Sequence, residues 1–192
     1  MKRSYLIISL LLSAVFPIVS FAITFDIWET GISINEVVGL AREHDIPIAR
    51  DGIIHGSKKF EPKLIDENFY KASALYYRTN ISGRSSIVYL KLTDDLKFVR
   101  EIEVKLFGIN DKKLFTTEML RILSQKYGTY KKLRDWVFQT YEWRPDQYSQ
   151  VLLRMGGAEA SIIYTDLRIK DFHEDQKTEK ERGLIKKDSE KF

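Results

Sequence analysis

The side chains that could perform chemistry are few and scattered along this sequence. Three histidines are present, His44, His55 and His173, and no two of them have the spacing that places two imidazoles on one metal ion. One cluster, Asp51 with His55 and Ser57, has the residue types of a hydrolase. The letters around that serine, HGSKK, lack the GxSxG frame of an exposed nucleophile. The sequence therefore predicts no catalytic residue and no metal site.

Composition and spacing exclude other forms of chemistry. The chain has no cysteine, which rules out thiol catalysis, thiolate metal sites, iron–sulfur clusters and disulfides. The HGSKK letters also lack the spacing of a phosphate-binding loop, and no dinucleotide fingerprint is present. No cofactor is expected.

The aromatic residues are the remaining candidates for a functional surface. Trp136 and Trp143 are an odd number of residues apart, so in one unbroken strand they would face opposite sides of a sheet. Tyr141 shares the parity of Trp143, and the neighbours Tyr76 and Tyr77 occupy both faces of their strand. An exposed aromatic strip is typical of a partner-binding surface, which makes Tyr76, Tyr77, Tyr141 and Trp143 candidate binding residues. The alternative is ordinary core packing, because aromatic side chains dominate buried area.

The elements that position these side chains begin with a well-marked helix. Ser33 is followed three residues later by Glu36, the spacing of a capping box. Ile32 and Val37 have the spacing of a hydrophobic staple across the same helix start. Pro47 ends the helical pattern.

Alternating runs predict six strands beyond that helix. These strands are Ser73–Thr79, Ser85–Leu92, Lys97–Phe107, Asp135–Arg144, Ser149–Met155 and Glu159–Ile169. The poorly periodic segment 48–71 is predicted as a strand fragment and a long loop. A second helix follows the third strand and ends at Gly128. The segment RILSQKYGTYKK is rich in basic residues. We interpret it as the end of this helix, because a cation such as Lys126 is favourable at a helix C-terminus.

The two halves of the chain resemble each other in pattern. INEVVGLAREHD aligns with TEMLRILSQKYG, and three predicted strands follow each of them. We therefore predict an α+β fold of two helix–strand–strand–strand repeats, about 23–110 and 111–169, that form one antiparallel sheet with both helices on one face. Residues 170–192 are charged and mixed in sign, which predicts a helical or disordered tail.

The segment GISINEVVGLAREHDIP resembles the opening helix of small β-barrel-assembly lipoproteins and of β-lactamase-inhibitor-like domains. The residues that carry the resemblance are Gly31, Ile32, Ser33, Val37, Leu40 and Pro47. It implies a helical unit on an antiparallel sheet, in an envelope or secreted protein that binds other proteins. The chain departs from that pattern in lacking the lipidated cysteine and in having Asp45-Ile46 where a glycine is expected.

The N-terminal segment 1–22 has the form of a signal peptide. Lys2 and Arg3 precede an apolar core from about Leu6 to Val15, and Ser20 and Ala22 are small residues at the positions that signal peptidase reads. We expect cleavage after Ala22 and a periplasmic or secreted protein. The alternative is an uncleaved segment that anchors the chain in a membrane.

The net charge and the lack of a catalytic cluster limit the classes of function that the sequence favours. The formal net charge of +4 becomes +2 without Lys2 and Arg3, and acidic residues are interleaved with basic ones, so nucleic acid is not expected as a partner. The sequence favours a non-catalytic binding protein of the cell envelope whose partner is an envelope or secreted protein, with membrane contact only through an uncleaved signal segment. The alternative is an exported hydrolase or small-ligand binder that uses the 48–71 loop.

Overall fold

An eight-stranded antiparallel sheet organises the chain, with helices packed against one of its faces. The structure is a computed structural model that describes residues 22–50, 71–95 and 97–172 and positions 175, 178, 179, 181 and 182. The α+β class predicted from the sequence is confirmed.

The strands and helices of the described residues follow in a simple order. They are β1 (Thr24–Phe25), β2 (Trp28–Glu29), α1 (Ile34–Glu43), β3 (Ala49–Arg50), β4 (Ala74–Ile81), β5 (Arg84–Leu92), β6 (Val99–Leu106), α2 (Lys112–Tyr127), β7 (Tyr130–Leu133), β8 (Gln139–Trp143), β9 (Ser149–Gly156) and β10 (Glu159–Asp166). β1 and β2 form a separate ribbon. The large sheet has the order β3-β4-β5-β6-β10-β9-β8-β7.

The sheet contains β3 and β7 in addition to the six predicted strands. β3 is two residues long and begins the segment without periodicity. β7 lies at the sheet edge with three of its four residues exposed, so it lacks the alternation that marks a half-buried strand. The predicted strand Asp135–Arg144 begins only at Gln139, and the predicted strand Glu159–Ile169 ends at Asp166, where residues 167–172 turn helical.

The start of α1 has the capping box that the sequence predicts. The Ser33 hydroxyl oxygen accepts a hydrogen bond from the Glu36 backbone N–H at 3.3 Å, and Glu36 Oε2 accepts one from the Ser33 backbone N–H at 2.7 Å. These bonds satisfy two donors that a helix start leaves without partners. The bond from the Ser33 backbone also holds the pKa of the Glu36 carboxyl below its usual value.

The second helix, α2, is limited by a cap at each end. Asp111 is the N-cap, and its side chain accepts a hydrogen bond from the Leu114 backbone N–H at 2.9 Å. Gly128 follows the last turn with a φ of 85°, a conformation that glycine adopts without strain. The predicted end of this helix at Gly128 is confirmed.

The core lies between the helices and one face of the sheet. Val37 and Ala41 of α1 and Leu123 of α2 are buried in the same cluster as one set of alternating strand residues. In the central strands this set is Ile102, Val104 and Leu106 of β6 with Ala160, Ile162 and Tyr164 of β10. Because β6 and β10 pair directly, a single core runs through both halves of the chain.

Two of the three tryptophans lie in this core and are fully buried. The Trp28 indole N–H donates a hydrogen bond to the Tyr77 hydroxyl oxygen at 2.9 Å. The Trp143 indole N–H donates to the Ser124 hydroxyl oxygen of α2 at 3.2 Å. Each half of the chain thus contributes a large aromatic side chain to the core, and the polar atom of each has a partner.

Some sequence expectations fall outside the described residues. These are the signal segment up to residue 21 and the side chains of Asp51, His55, Ser57 and His173. Among the residues that are described, no helix is long and apolar enough to cross a membrane.

Candidate functional site

The structure places the four predicted aromatic residues on two different faces of the sheet. Tyr77, Tyr141 and Trp143 point toward the helices and are buried, so the prediction that they form an exposed binding strip is wrong and the core-packing alternative holds. Their positions along the strands direct these three side chains to the face that the helices cover. Large aromatic side chains fill the space beneath the helices there. Tyr76 faces the other way and is half-buried.

The face of the sheet turned away from the helices is called the outer face. On it, the Tyr76 and Tyr89 rings are cross-strand neighbours with centroids 5.7 Å apart. The Lys105 ammonium lies 5.1 Å from the centroid of the Tyr89 ring. Tyr76 is the predicted binding residue that belongs to this row of two half-buried aromatic rings and a cation.

Ion pairs join the centre of the outer face. The Lys91 ammonium bonds to carboxylates of both Glu101 and Glu103, at 2.9 Å for Glu103, and Lys105 lies 3.9 Å from Glu103. Burial alone would raise the pKa of Glu103, but its hydrogen bond to Lys91 and the charges of Lys91 and Lys105 bring it below its usual value. Glu103 is therefore ionised near neutral pH and has no character of a general acid.

A shallow hollow of about 480 Å³ opens beside this network. The register places Lys105, Ser161 and Arg154 side by side on β6, β10 and β9, with the small serine between two long basic side chains. Glu103 and Glu159 also line the hollow, so its charges are balanced in sign. Its mixed lining favours a docking surface over a catalytic pocket.

The β7–β8 connection presents the two most exposed large apolar residues of the described chain, Trp136 and Val137, with Phe138 beside them. Trp136 is 103% exposed, Val137 76% and Phe138 42%. Asp135 precedes them, and its carboxylate accepts hydrogen bonds from the backbone N–H groups of Val137 at 2.9 Å and Phe138 at 3.3 Å and from the Thr140 hydroxyl at 3.0 Å. Residues 135–138 are called the hairpin tip. The bonds to Asp135 give the tip a defined shape, because an Asp side chain that binds the following backbone closes a turn.

Those hydrogen bonds also set the ionisation of Asp135. The backbone N–H groups of Val137 and Phe138 hold the pKa of the Asp135 carboxyl below its usual value. The turn is therefore closed by a carboxylate throughout the neutral range.

Phe138 joins the hairpin tip to the hollow. A Cβ atom built on Gly156 of β9 would lie 2.8 Å from Cε1 of the Phe138 ring, so the ring rests directly on the glycine backbone. The same ring lines the hollow of the outer face. Glycine is needed at position 156 for this close approach.

The histidines and the acidic residues were the remaining candidates for metal ligands. No group of three or more His, Cys, Asp or Glu side chains among them could hold a metal ion. His44 is the C-cap of α1.

Comparison with protein-family models, with curated proteins and with solved structures found no match. The assignment of a site therefore depends on the geometry of this chain.

Sequence reasoning missed the hairpin tip because it extended one strand over it. The letters WVF were included in the predicted strand Asp135–Arg144, where three successive apolar residues read as strand. The signal that could have identified a turn is Asp135 itself, an aspartate directly before the run. Exposure of all three residues cannot be read from the letters, because the same run also suits a buried strand.

Proposed function

We propose that this protein is a non-catalytic binding protein of the cell envelope that holds another envelope component against its hairpin tip and outer face. The observation that carries the proposal is the full exposure of Trp136 at the end of a hairpin shaped by Asp135. Tryptophan is rarely left in water and is strongly enriched at the centres of binding sites. An envelope or secreted protein is the partner expected from the sequence.

Export to the periplasm is part of this proposal. The support is that Ile23, the first residue after the expected cleavage site, already belongs to the core. Its backbone N–H donates to the Thr30 hydroxyl oxygen at 3.1 Å, and its carbonyl accepts from the Thr30 N–H at 3.1 Å. A chain cut after Ala22 would retain both residues of this contact.

We also propose that the two halves are structural repeats. Each consists of one helix and four strands, α1 with β3–β6 and α2 with β7–β10. The last strands of the halves, β6 and β10, pair antiparallel at the centre of the sheet, and the order of the other strands runs outward from them in both directions. Such an arrangement is what an approximate twofold axis between duplicated units would produce.

Site-specific photo-crosslinking in the native host tests the binding function. A photoreactive phenylalanine derivative replaces Trp136 in one variant and Leu114, which is 60% exposed on α2, in a matched variant. We expect a discrete adduct from position 136 and none above background from position 114, because the proposal assigns contact to the tip and not to the helices. Equal adduct patterns at both positions, or none at either, would contradict the proposed function.

A further inference from the structure

We propose that the hairpin tip seats this protein on a bilayer surface rich in anionic lipid headgroups, with Trp136, Val137 and Phe138 entering the interface. The proposal rests on the proposed function and names the envelope component that the tip binds. It assigns to the folded domain a membrane contact that the sequence predicted only for an uncleaved signal segment.

The shape of the tip suits a planar, deformable surface. Trp136 and Val137 protrude from the end of a hairpin whose first strand, β7, is the edge of the sheet, and Phe138 beside them is 42% exposed. Trp136 and Val137, the most exposed of them, would need a deep complementary cleft in a protein partner. A bilayer interface accepts a protruding apolar wedge without such a cleft, and aromatic residues are enriched at that depth.

The charges around the tip are complementary to an anionic surface. Between Gly128 and Tyr141 the sequence has three basic residues, Lys131, Lys132 and Arg134, and one acid, Asp135. All four are exposed, and the segment as a whole has a net charge of +2. Each lysine or arginine near an anionic bilayer strengthens binding about fivefold.

The basic side chains lie on both faces of the hairpin. Lys131 pairs with Glu142 on the outer-face side, whereas Lys132 pairs with Tyr141 on the helix side and its ammonium lies 5.9 Å from the Tyr141 ring centroid. A partner docked on one face would meet one of these lysines. A plane approached by the tip meets both.

The distance along the chain between Arg134 and Trp136 agrees with the thickness of the lipid headgroup layer. Arg134 precedes Trp136 by two residues, a reach of at most about 7 Å along the chain. The headgroup layer on each side of a bilayer is about 5–7 Å thick. When Trp136 reaches the boundary of the acyl chains, the guanidinium of Arg134 can therefore lie among the headgroups.

Vesicle binding with tryptophan fluorescence tests the proposal. The exported chain is mixed with phosphatidylcholine vesicles that contain about one third phosphatidylglycerol or none. Because Trp28 and Trp143 are fully buried, a soluble quencher in the free protein reaches mainly Trp136. We expect the anionic vesicles to bind and to protect Trp136 from quenching, and we expect added salt to weaken the binding.

Matched variants distinguish binding through the hairpin tip from nonspecific binding of the protein to vesicles. Trp136→Ser with Phe138→Ser should lower vesicle affinity at least about tenfold, and Lys132→Gln with Arg134→Gln at least about fivefold. Lys112→Gln with Lys113→Gln, the same charge change on α2, should leave affinity unchanged.

Equal binding to neutral vesicles, or a Trp136 that stays fully quenchable, would overturn the membrane assignment. If the vesicle experiment fails but crosslinking at position 136 gives a protein adduct, the proposed binding function remains and its partner is a protein. If the vesicle experiment fails and position 136 gives no adduct, the proposed binding function is also wrong.

Discussion

Tyr77, whose hydroxyl oxygen accepts a hydrogen bond from the buried Trp28, contributes to the dependence of stability on pH. Burial raises the pKa of Tyr77 to about 12, against the opposing effect of the hydrogen bond from Trp28. Burial also raises the pKa of Tyr164. The folded state thus favours the protonated phenols, whereas an unfolded tyrosine ionises near pH 10.

Stability should therefore fall on the alkaline side. Because the folded pKa of Tyr77 is raised, its contribution is fully present below pH 10 and is lost as the pH rises through about 12. Tyr77→Phe should flatten this loss, and near neutral pH it should cost about 1–3 kcal/mol because the Trp28 indole N–H is left without its acceptor. Urea unfolding across this pH range measures both effects. Tyr76→Phe on the outer face is the control, and an alkaline slope unchanged in Tyr77→Phe would contradict the assignment.

Trp136 and Trp143 form a natural pair for separating binding from stability. Trp143 is fully buried and bonded to Ser124, so Trp143→Ala should lower the free energy of unfolding by about 3–5 kcal/mol. Trp136 is fully exposed, so Trp136→Ala should change it by less than about 0.5 kcal/mol. Chemical denaturation of both variants measures the difference. A large loss of stability in Trp136→Ala would show that Trp136 is held by the fold and not displayed for a partner.

Among the elements, the β7–β8 hairpin depends on a glycine in the neighbouring strand. Gly156→Ala places a methyl group where the Phe138 ring lies, and the ring must swing away because it is the side chain with freedom to move. We expect the contact between residues 138 and 156 to disappear in NMR spectra while the free energy of unfolding changes by less than about 1 kcal/mol. Gly39→Ala in α1 is the matched control, since nothing lies within 4 Å of its added Cβ, and it should stabilise the protein by about 0.5–1 kcal/mol. Persistence of the ring contact in Gly156→Ala would contradict this account of the hairpin.

Elements with a local signal could be predicted from the sequence, and surfaces could not. The capping box at Ser33 and the helix end at Gly128 depend on residues close together in the chain, and both are confirmed. The opposite orientation of Tyr76 and Tyr77 is likewise confirmed, because alternation is a property of one strand. Which of the two is buried depends on where the helices pack, and that information lies far away in the sequence.

At the scale of the whole molecule, the decisive feature is the pairing of β6 with β10. It joins the last strand of each half, and its residues continue one core from Trp28 in the first half to Trp143 in the second. The α+β class follows from strand and helix patterns, but the addition of β3 and β7 at the outer edges does not. β3 is only two residues long, and β7 is too exposed to show alternation.

A shared core predicts that the two halves unfold together. One variant retains Trp28 as its sole tryptophan through Trp136→Phe and Trp143→Phe, and a second retains Trp143 through Trp136→Phe and Trp28→Phe. In each variant, we expect the fluorescence transition in urea to coincide with the loss of far-UV circular dichroism, because unfolding either half would expose the buried apolar residues of β6 or β10 to water. Comparison within a variant removes the effect of its own substitutions on stability. A fluorescence transition that precedes the circular dichroism transition in either variant would show that the halves are separate folding units, which the continuous core through Val104 and Ile162 argues against.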